Sequence, residues 1–272
     1  MTRIAVLQMT AGIQPGANAA TLYEAAVQGA RGGAEMLFTP EMTGMLDRDR
    51  SRAANEIVAE EDNPVLASAQ AAAIETGLWI GLGSLAVQGV GGRWANRSLL
   101  VAPDGSIAAR YDKIHMFDVD LASGESWRES NAFEPGSEVV TADDTPVGRL
   151  GLTVCYDLRF PALFEALGQR RCDAIAIPAA FTVPTGEAHW HLLQRARAVE
   201  ASAWVIAAAQ VGEHEDGRRT YGHSLVVDPW GEVVLDMGGE DAGVGFADID
   251  PARTADVRAQ LPSLANRRSI AN

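Results

Sequence analysis

Short apolar blocks alternate with longer alanine-rich stretches along the chain, and this alternation limits the folds that it can adopt. The blocks that predict strands are residues 4–9, 36–39, 79–87, 98–102, 150–155, 174–177, 204–210, 223–228, 232–237 and 244–249. The stretches that predict helices are residues 19–31, 64–76, 161–169 and 187–202. This number of strands is at the upper limit for one open sheet. We therefore predict an α/β protein with two packed sheets and helices on their outer faces.

The composition argues against several classes of protein. A net charge of -14 without a basic cluster argues against nucleic-acid binding, which relies on Lys and Arg near phosphates. No apolar run reaches the roughly 18 residues of a membrane span, and the first residues lack the pattern of a secretory signal. Because 2 Cys cannot form a disulfide framework, a reducing cytoplasm is the expected compartment. No Pro- or Ser-rich linker divides the chain, so residues 1–272 are expected to form one domain.

Three chemically reactive residues lie at the ends of predicted strands. Glu41 follows one strand, Lys113 follows an apolar stretch at residues 107–111, and Cys155 closes another strand. Lys113 is also the single Lys among the 22 basic residues, and a compact ammonium does close-range chemistry that a guanidinium cannot. A thiol attacks only as a thiolate, so it needs a base or a nearby cation. A carboxylate, an ammonium and a thiol could together form a site for acyl transfer.

The segments around these three residues resemble the nitrilase superfamily of carbon-nitrogen hydrolases. The matching segments are Pro40-Glu41, Tyr111-Asp112-Lys113-Ile114-His115, Cys155-Tyr156-Asp157-Leu158-Arg159-Phe160-Pro161, Ala188-His189-Trp190, Tyr221-Gly222-His223-Ser224 and Asp228-Pro229-Trp230-Gly231. They occur in the family's order and span nearly the whole chain. The resemblance implies a four-layer α-β-β-α sandwich with two mixed sheets, and an enzyme that needs no metal or other cofactor.

The resemblance also implies a role for each reactive residue. Cys155 would be the nucleophile, Glu41 the general base, and Lys113 the stabiliser of the oxyanion together with the backbone N–H of Tyr156. Glu129 occupies the place of a second glutamate that supports the lysine. The alternative for Glu129 is an exposed acid on a loop.

Within the superfamily, the chain is most similar to the branch that contains deaminated glutathione amidase and ω-amidase. Substrates of this branch are small amides that carry a remote carboxylate, which Arg159 could bind through its planar fork. Phe181, Thr182, His189 and Trp190 are the other candidate substrate-binding residues. Deaminated glutathione is the first candidate substrate, and the ω-amide α-ketoglutaramate or α-ketosuccinamate is the alternative. A non-catalytic interaction module on the same fold is an alternative of a different class.

One segment departs from the pattern of the branch. Glu187 and His191 stand where the branch usually has Pro and Glu, which leaves substrate preference open. A metal site formed by His189 and His191 is not expected, because residues two apart on a helix point in different directions. For the same reason at most one of Arg195 and Arg197 would face a site, and surface ion pairing is expected for both. The resemblance further implies a homodimer or a larger homo-oligomer, for which the predicted helix at residues 187–202 could supply an interface.

Overall fold

The chain folds into two six-stranded sheets that pack face to face, as seen in a computed structural model that describes residues 1–89, 91–122, 124 and 126–268. In chain order the strands are β1 (Thr2–Gln8), β2 (Met36–Phe38), β3 (Trp79–Gln88), β4 (Trp94–Val101), β5 (Ile107–Asp112), β6 (Asp118–Asp120), β7 (Ser126–Arg128), β8 (Thr141–Thr145), β9 (Gly148–Leu152), β10 (Ala174–Ala176), β11 (Trp204–Ala207), β12 (Val211–Glu213), β13 (Arg219–Tyr221), β14 (Leu225–Val227), β15 (Val233–Asp236) and β16 (Gly243–Ile249). The helices are α1 (Pro15–Arg31), α2 (Arg50–Ala53), α3 (Pro64–Thr76), α4 (Pro161–Gln169), α5 (Val183–Ala201) and α6 (Pro251–Gln260).

Both large sheets mix parallel and antiparallel pairs. The first has the order β16-β1-β2-β3-β4-β5, in which β1, β2 and β3 are parallel to one another and the other neighbouring pairs are antiparallel. The second has the order β15-β14-β11-β10-β9-β8, with β9, β10 and β11 parallel. Two small hairpins, β6-β7 and β12-β13, complete the described strands. Parallel neighbours align their carboxyl ends at one edge, where open α/β sheets usually bind ligands.

Alternation along β1 shows how the layers are stacked. Ile4 and Val6 join the apolar cluster that holds most of the second sheet together with α4 and α5. Ala5 and Leu7 join the cluster formed with α1 and α3. Since neighbouring side chains on a strand point to opposite faces, β1 lies between the helical layer and the other sheet. The predicted four-layer α-β-β-α sandwich with two mixed sheets is confirmed.

The predicted elements agree with the structure in their order, and several boundaries differ. The helices predicted at residues 64–76 and 161–169 have those bounds. The first helix, however, begins at Pro15 and not at residue 19, so Asn18, whose residue type suits a cap before residue 19, lies inside the helix. Proline is already suited to the first helical turn, and Asn18 instead bonds Gly12 and Gly44 from inside the helix. In the described residues, no helix is both long and apolar enough to cross a membrane.

Candidate active site

Glu41, Lys113 and Cys155 meet in one cavity although they lie far apart in the chain. Glu41 follows β2, Lys113 follows β5 and Cys155 follows β9. The cavity has a volume of about 320 Å³, and these three residues line it together with Glu129. The fold therefore brings the carboxylate, the ammonium and the thiol together in one place.

Lys113 is clamped between two carboxylates. Its Nζ lies 2.9 Å from Glu41 Oε1 and 2.8 Å from Glu129 Oε2, and its side chain is 2% exposed. Burial alone would lower the pKa of Lys113, but the charges of Glu129 and Glu41 outweigh burial and raise the pKa above its ordinary value. The group is therefore a fixed ammonium ion. Glu129 contacts it directly and is largely buried, so Glu129 is not an exposed loop acid.

The two carboxylates are themselves held in place by neighbouring groups. Asn96 Nδ2, on β4, donates to Glu41 Oε1 at 3.0 Å and to Glu129 Oε1 at 3.1 Å. The Ala180 N–H donates to Glu41 Oε2 at 3.0 Å, and the Phe117 N–H donates to Glu129 Oε2 at 2.7 Å. The sequence analysis missed Asn96, because an Asn inside a strand has no spacing that distinguishes it from a packing residue.

Cys155 occupies a strained turn. β9 ends at Leu152, and Cys155 opens a short 3-10 helix, Cys155–Arg159, so the prediction that Cys155 closes the strand is wrong. Its φ is 50°, a conformation that costs a non-glycine residue free energy and is often found at functional sites. The Cys155 N–H donates to Pro178 O at 2.8 Å, which fixes the turn against the segment after β10.

The surroundings of the Cys155 sulfur favour the protonated thiol. Burial raises the pKa of this thiol well above its ordinary value, the charge of Glu41 raises it further, and Lys113 opposes both effects. A protonated thiol does not attack a carbonyl, so the site needs a group that takes the proton during the attack. Glu41 is the carboxylate beside the thiol.

Asp157 joins the turn of Cys155 to the segment that carries Lys113. One of its carboxylate oxygens accepts hydrogen bonds from Tyr111 Oη at 2.7 Å and from the Val154 N–H at 2.9 Å. The other lies 3.0 Å from the donating His115 N–H and 2.7 Å from His115 Nδ1. Asp157 is fully buried and was also missed by the sequence analysis, which assigned no role to it.

The remaining backbone of the turn is held from α5. Arg197 donates from Nε at 2.9 Å and from Nη2 at 2.8 Å to Leu158 O. It is 4% exposed, so the prediction of a surface position is wrong for Arg197, but the predicted ion pair exists, because Arg197 Nη1 lies 2.7 Å from Glu200 Oε2. Arg195 donates to Gly231 O instead of pairing with an acid among the described residues. Among the described residues, no group accepts a hydrogen bond from the Tyr156 N–H, so this donor remains available to a ligand.

The predicted substrate-binding residues divide into three groups. Arg159, Phe181 and Thr182 line the cavity. His189 is exposed and lies outside the lining, where its Nδ1 is 3.2 Å from Arg159 Nη1. The prediction that Trp190 binds substrate is wrong, because Trp190 is 1% exposed and does not line the cavity. Its ring packs against Phe181, and its Nε1 donates to His223 O at 2.7 Å, so Trp190 supports the cavity wall from behind.

Guanidinium groups surround the mouth of the cavity. Arg48, Arg50 and Arg159 contribute to its lining and pair with no carboxylate in the described part of the chain. Arg48 and Arg218 stack on the Trp127 ring at 5.8 and 5.0 Å from its centroid. The sequence analysis identified only Arg159, because the loop after β2, which carries Arg48 and Arg50, and the β12-β13 hairpin, which carries Arg218, reach the cavity only in the folded chain.

Several known proteins are similar to this chain in sequence and in structure. The carbon-nitrogen hydrolase family matches residues 3–259. The chain is 38% identical to a deaminated glutathione amidase of Yersinia enterocolitica, over 99% of this chain and 94% of that protein. It is 37% identical to a deaminated glutathione amidase of Homo sapiens, over 97% and 82% respectively. The crystal structure of the C. elegans NitFhit protein superposes with a TM-score of 0.90 and 34% identity, over 98% of this chain and 65% of that one.

The fold and the matches together define an enzyme that hydrolyses carbon-nitrogen bonds of amides. The chain belongs to the carbon-nitrogen hydrolase family, which confirms the resemblance to the nitrilase superfamily stated from its motifs. Membership in this enzyme family argues against the alternative that the chain is a non-catalytic interaction module.

Proposed function

We propose that this protein is a deaminated glutathione amidase that works through a thioester on Cys155, and that residues 1–272 act as one catalytic domain. The observation that carries the proposal is the convergence of Glu41, Lys113 and Cys155 on one cavity whose mouth is lined by arginines. Relatives at 37–38% identity bear that name, which supports the choice of substrate.

The first half of the reaction forms the thioester. Glu41 accepts the thiol proton of Cys155 as the sulfur attacks the amide carbonyl, which suits a thiol that is neutral at rest. The carbon-nitrogen bond then breaks, and Glu41 passes the proton to the departing amine. Ala180 N–H and Asn96 hold the Glu41 carboxylate in place during both transfers.

Charge that develops on the carbonyl oxygen is stabilised by two donors. The Lys113 ammonium supplies a full positive charge in a buried site, and the Tyr156 N–H supplies the second donor. Removing one such donor typically costs about 3–4 kcal/mol of transition-state stabilisation. Glu129 is a positioning residue here, because it contacts the ammonium and keeps it charged.

The second half of the reaction releases the acid. A water molecule replaces the amine, Glu41 takes a proton from that water, and the resulting oxygen nucleophile attacks the thioester carbonyl. The carbon-sulfur bond breaks, and the proton returns from Glu41 to the Cys155 sulfur. Proton transfer by a positioned carboxylate of this kind contributes roughly 10²- to 10⁴-fold in rate.

The arginines favour a substrate with a carboxylate at each end. Deaminated glutathione has one carboxylate on its keto-acid side and another on its glycine, whereas α-ketoglutaramate has only the keto-acid carboxylate. Arg159 stacks 5.4 Å from the Phe181 centroid and suits one carboxylate, while Arg48 and Arg50 lie at the mouth for the other. Phe181 and Thr182 line the same cavity as the reacting thiol and Arg159.

The test compares kcat/KM for deaminated glutathione and for α-ketoglutaramate, with purified protein and no added metal. We expect the first to be the better substrate. We also expect Arg48→Gln to lower its kcat/KM about tenfold with no effect on α-ketoglutaramate. Arg149→Gln is the matched control, since Arg149 pairs with Asp143 and neither residue lines the cavity. A preference for α-ketoglutaramate would identify an ω-amidase, and activity on neither would contradict the proposal.

We also propose that the protein works as a cytoplasmic homodimer. Both cysteines, Cys155 and Cys172, are unpaired and buried, which suits a reducing compartment. Leu192 and Val199 lie seven residues apart on one face of α5 and are exposed, and the nearby Trp230 is 52% exposed. A second copy of this face would cover the patch.

The oligomeric state can be tested by light scattering after gel filtration. Leu192→Asp should halve the mass, because a charge cannot be buried in an apolar interface without a partner. Ile74→Asp is the control on another exposed apolar residue, in α3, and should leave the mass unchanged. A monomeric wild type would contradict the dimer.

A further inference from the structure

Three metal-ligating side chains meet on the side of the molecule that carries α5 and β15, away from the residues that line the cavity. They are His191 on α5, His223 in the segment between β13 and β14, and Asp236 at the end of β15. His191 and His223 are half-buried. The reaction described above uses none of the three.

Their ligand atoms already face one another. His191 Nε2 lies 3.0 Å from Asp236 Oδ2, and His223 Nδ1 lies 2.9 Å from Asp236 Oδ1 and 3.2 Å from Oδ2. The ligand atoms of all three residues lie within 4.8 Å of one another. A tetrahedral Zn²⁺ with bonds of 2.0–2.1 Å separates its ligand atoms by about 3.3 Å, so small side-chain shifts would suffice to admit the ion.

Neighbouring groups hold two of the three side chains in place. The Gly238 N–H donates to Asp236 Oδ1 at 2.9 Å, which fixes the carboxylate. His223 has a φ of 53°, and its N–H donates to Gly238 O at 2.7 Å. The Tyr221 ring stacks on the His223 imidazole with a centroid distance of 4.4 Å. Strained backbone and outer hydrogen bonds of this kind are typical of built ligand sites.

We propose that His191 Nε2, His223 Nδ1 and the Asp236 carboxylate bind a divalent transition metal ion, with Zn²⁺ as the best fit. Two imidazoles and a carboxylate suit Zn²⁺, and water would complete a four-coordinate shell. The sequence analysis dismissed a pairing of His189 with His191, and His189 indeed faces Arg159. The ligands that complete the set with His191 are distant in sequence, since His223 comes from the segment between β13 and β14 and Asp236 comes from β15.

Binding would connect α5 to the edge of the second sheet. The ion would replace the hydrogen bonds between the histidines and Asp236, so metal-ligand bonds would then join the three side chains. A ligand that binds only the folded state also raises the melting temperature.

The test is calorimetric titration of ZnCl₂ into protein that has been stripped of metal. It uses a Cys155→Ala background, so that the active-site thiol cannot bind the ion. We expect one Zn²⁺ per chain, at least tenfold weaker binding in His191→Ala and in Asp236→Asn, and unchanged binding in His189→Ala. The melting temperature should rise with Zn²⁺ in the background protein and not in His191→Ala.

Two outcomes would overturn the proposal. Absence of Zn²⁺ binding in the background protein would mean that the three side chains form a hydrogen-bonded cluster and not a metal site. Unchanged affinity in both His191→Ala and Asp236→Asn would place any bound ion elsewhere on the chain.

Discussion

The inner end and the mouth of the cavity carry their charges in different ways. At the inner end, Lys113 is buried and is held by Glu41 and Glu129 at 2.9 and 2.8 Å. At the mouth, Arg48 is exposed and Arg159 is half-buried, and neither pairs with a carboxylate in the described residues. A charge whose bonds are all internal can be positioned for chemistry, and a charge without a partner is available to a substrate. The comparison predicts that changes at the inner end reduce turnover, while changes at the mouth reduce binding.

The largest effect is expected at the proposed nucleophile. Cys155→Ala should reduce turnover to the background rate, because no other thiol reaches the cavity. The melting temperature should change by only a few degrees, since a small buried side chain is shortened. Measurement of kcat together with thermal unfolding checks both statements.

Cys172 provides the matched control for that variant. It is fully buried in the core beside Gly151 and does not line the cavity. Cys172→Ala should therefore cost about 1 kcal/mol of stability and leave kcat nearly unchanged. If Cys172→Ala abolished turnover and Cys155→Ala did not, the assignment of the two thiols would be wrong.

Replacement of the proposed base should be the next largest effect. Glu41→Gln is expected to lower kcat roughly 10²- to 10⁴-fold. The charge of Glu41 is one cause of the raised thiol pKa, after burial, so its removal should lower the pKa of Cys155. Alkylation of the thiol should then reach its half-maximal rate at a lower pH in the variant than in the wild type. An unchanged or higher thiol pKa in Glu41→Gln would contradict the electrostatic role of this carboxylate.

A conservative change of the buried ammonium should follow in size. Lys113→Arg keeps the charge but places a larger, planar group between two carboxylates, so we expect kcat to fall about 10²-fold or more. Crowding should cost about 1–3 kcal/mol of stability. Arg110→Lys, the reverse exchange on the exposed side of β5 beside Glu60, should leave turnover unchanged. Wild-type rates in Lys113→Arg would argue against a role for the ammonium in chemistry.

The smallest effect is expected at the mouth of the cavity. Arg159→Met should raise KM for carboxylate-bearing amides about 10- to 100-fold, with little change in kcat or melting temperature. The measurement compares the steady-state KM of a substrate with that of its methyl ester. The ester should have the higher KM with the wild type, and this difference should disappear in Arg159→Met. A fall in kcat alone would place Arg159 with the inner group and break the distinction between the two ends.

The alternation in the sequence predicted two packed sheets covered by helices, and the reactive residue types at strand ends indicated the three central side chains. The four-layer sandwich itself was implied by the resemblance to the nitrilase superfamily. It could not predict Asn96 or Asp157, whose roles exist only when β4, β5 and the Cys155 turn are brought together. The burial of Arg197 was not predicted for the same reason, since helical spacing does not show that a carbonyl of a distant turn lies beside it. The partners of His191 also depend on strand packing that one sequence does not encode locally.

The central claim is that the amide substrate becomes a thioester on Cys155. Acid-quenched mass spectrometry of the wild-type protein turning over deaminated glutathione tests it most directly. The account predicts a keto-acyl group on the peptide that contains Cys155, lost on further incubation and absent from Cys155→Ala. Turnover without any covalent adduct, or an adduct on a different residue, would contradict it.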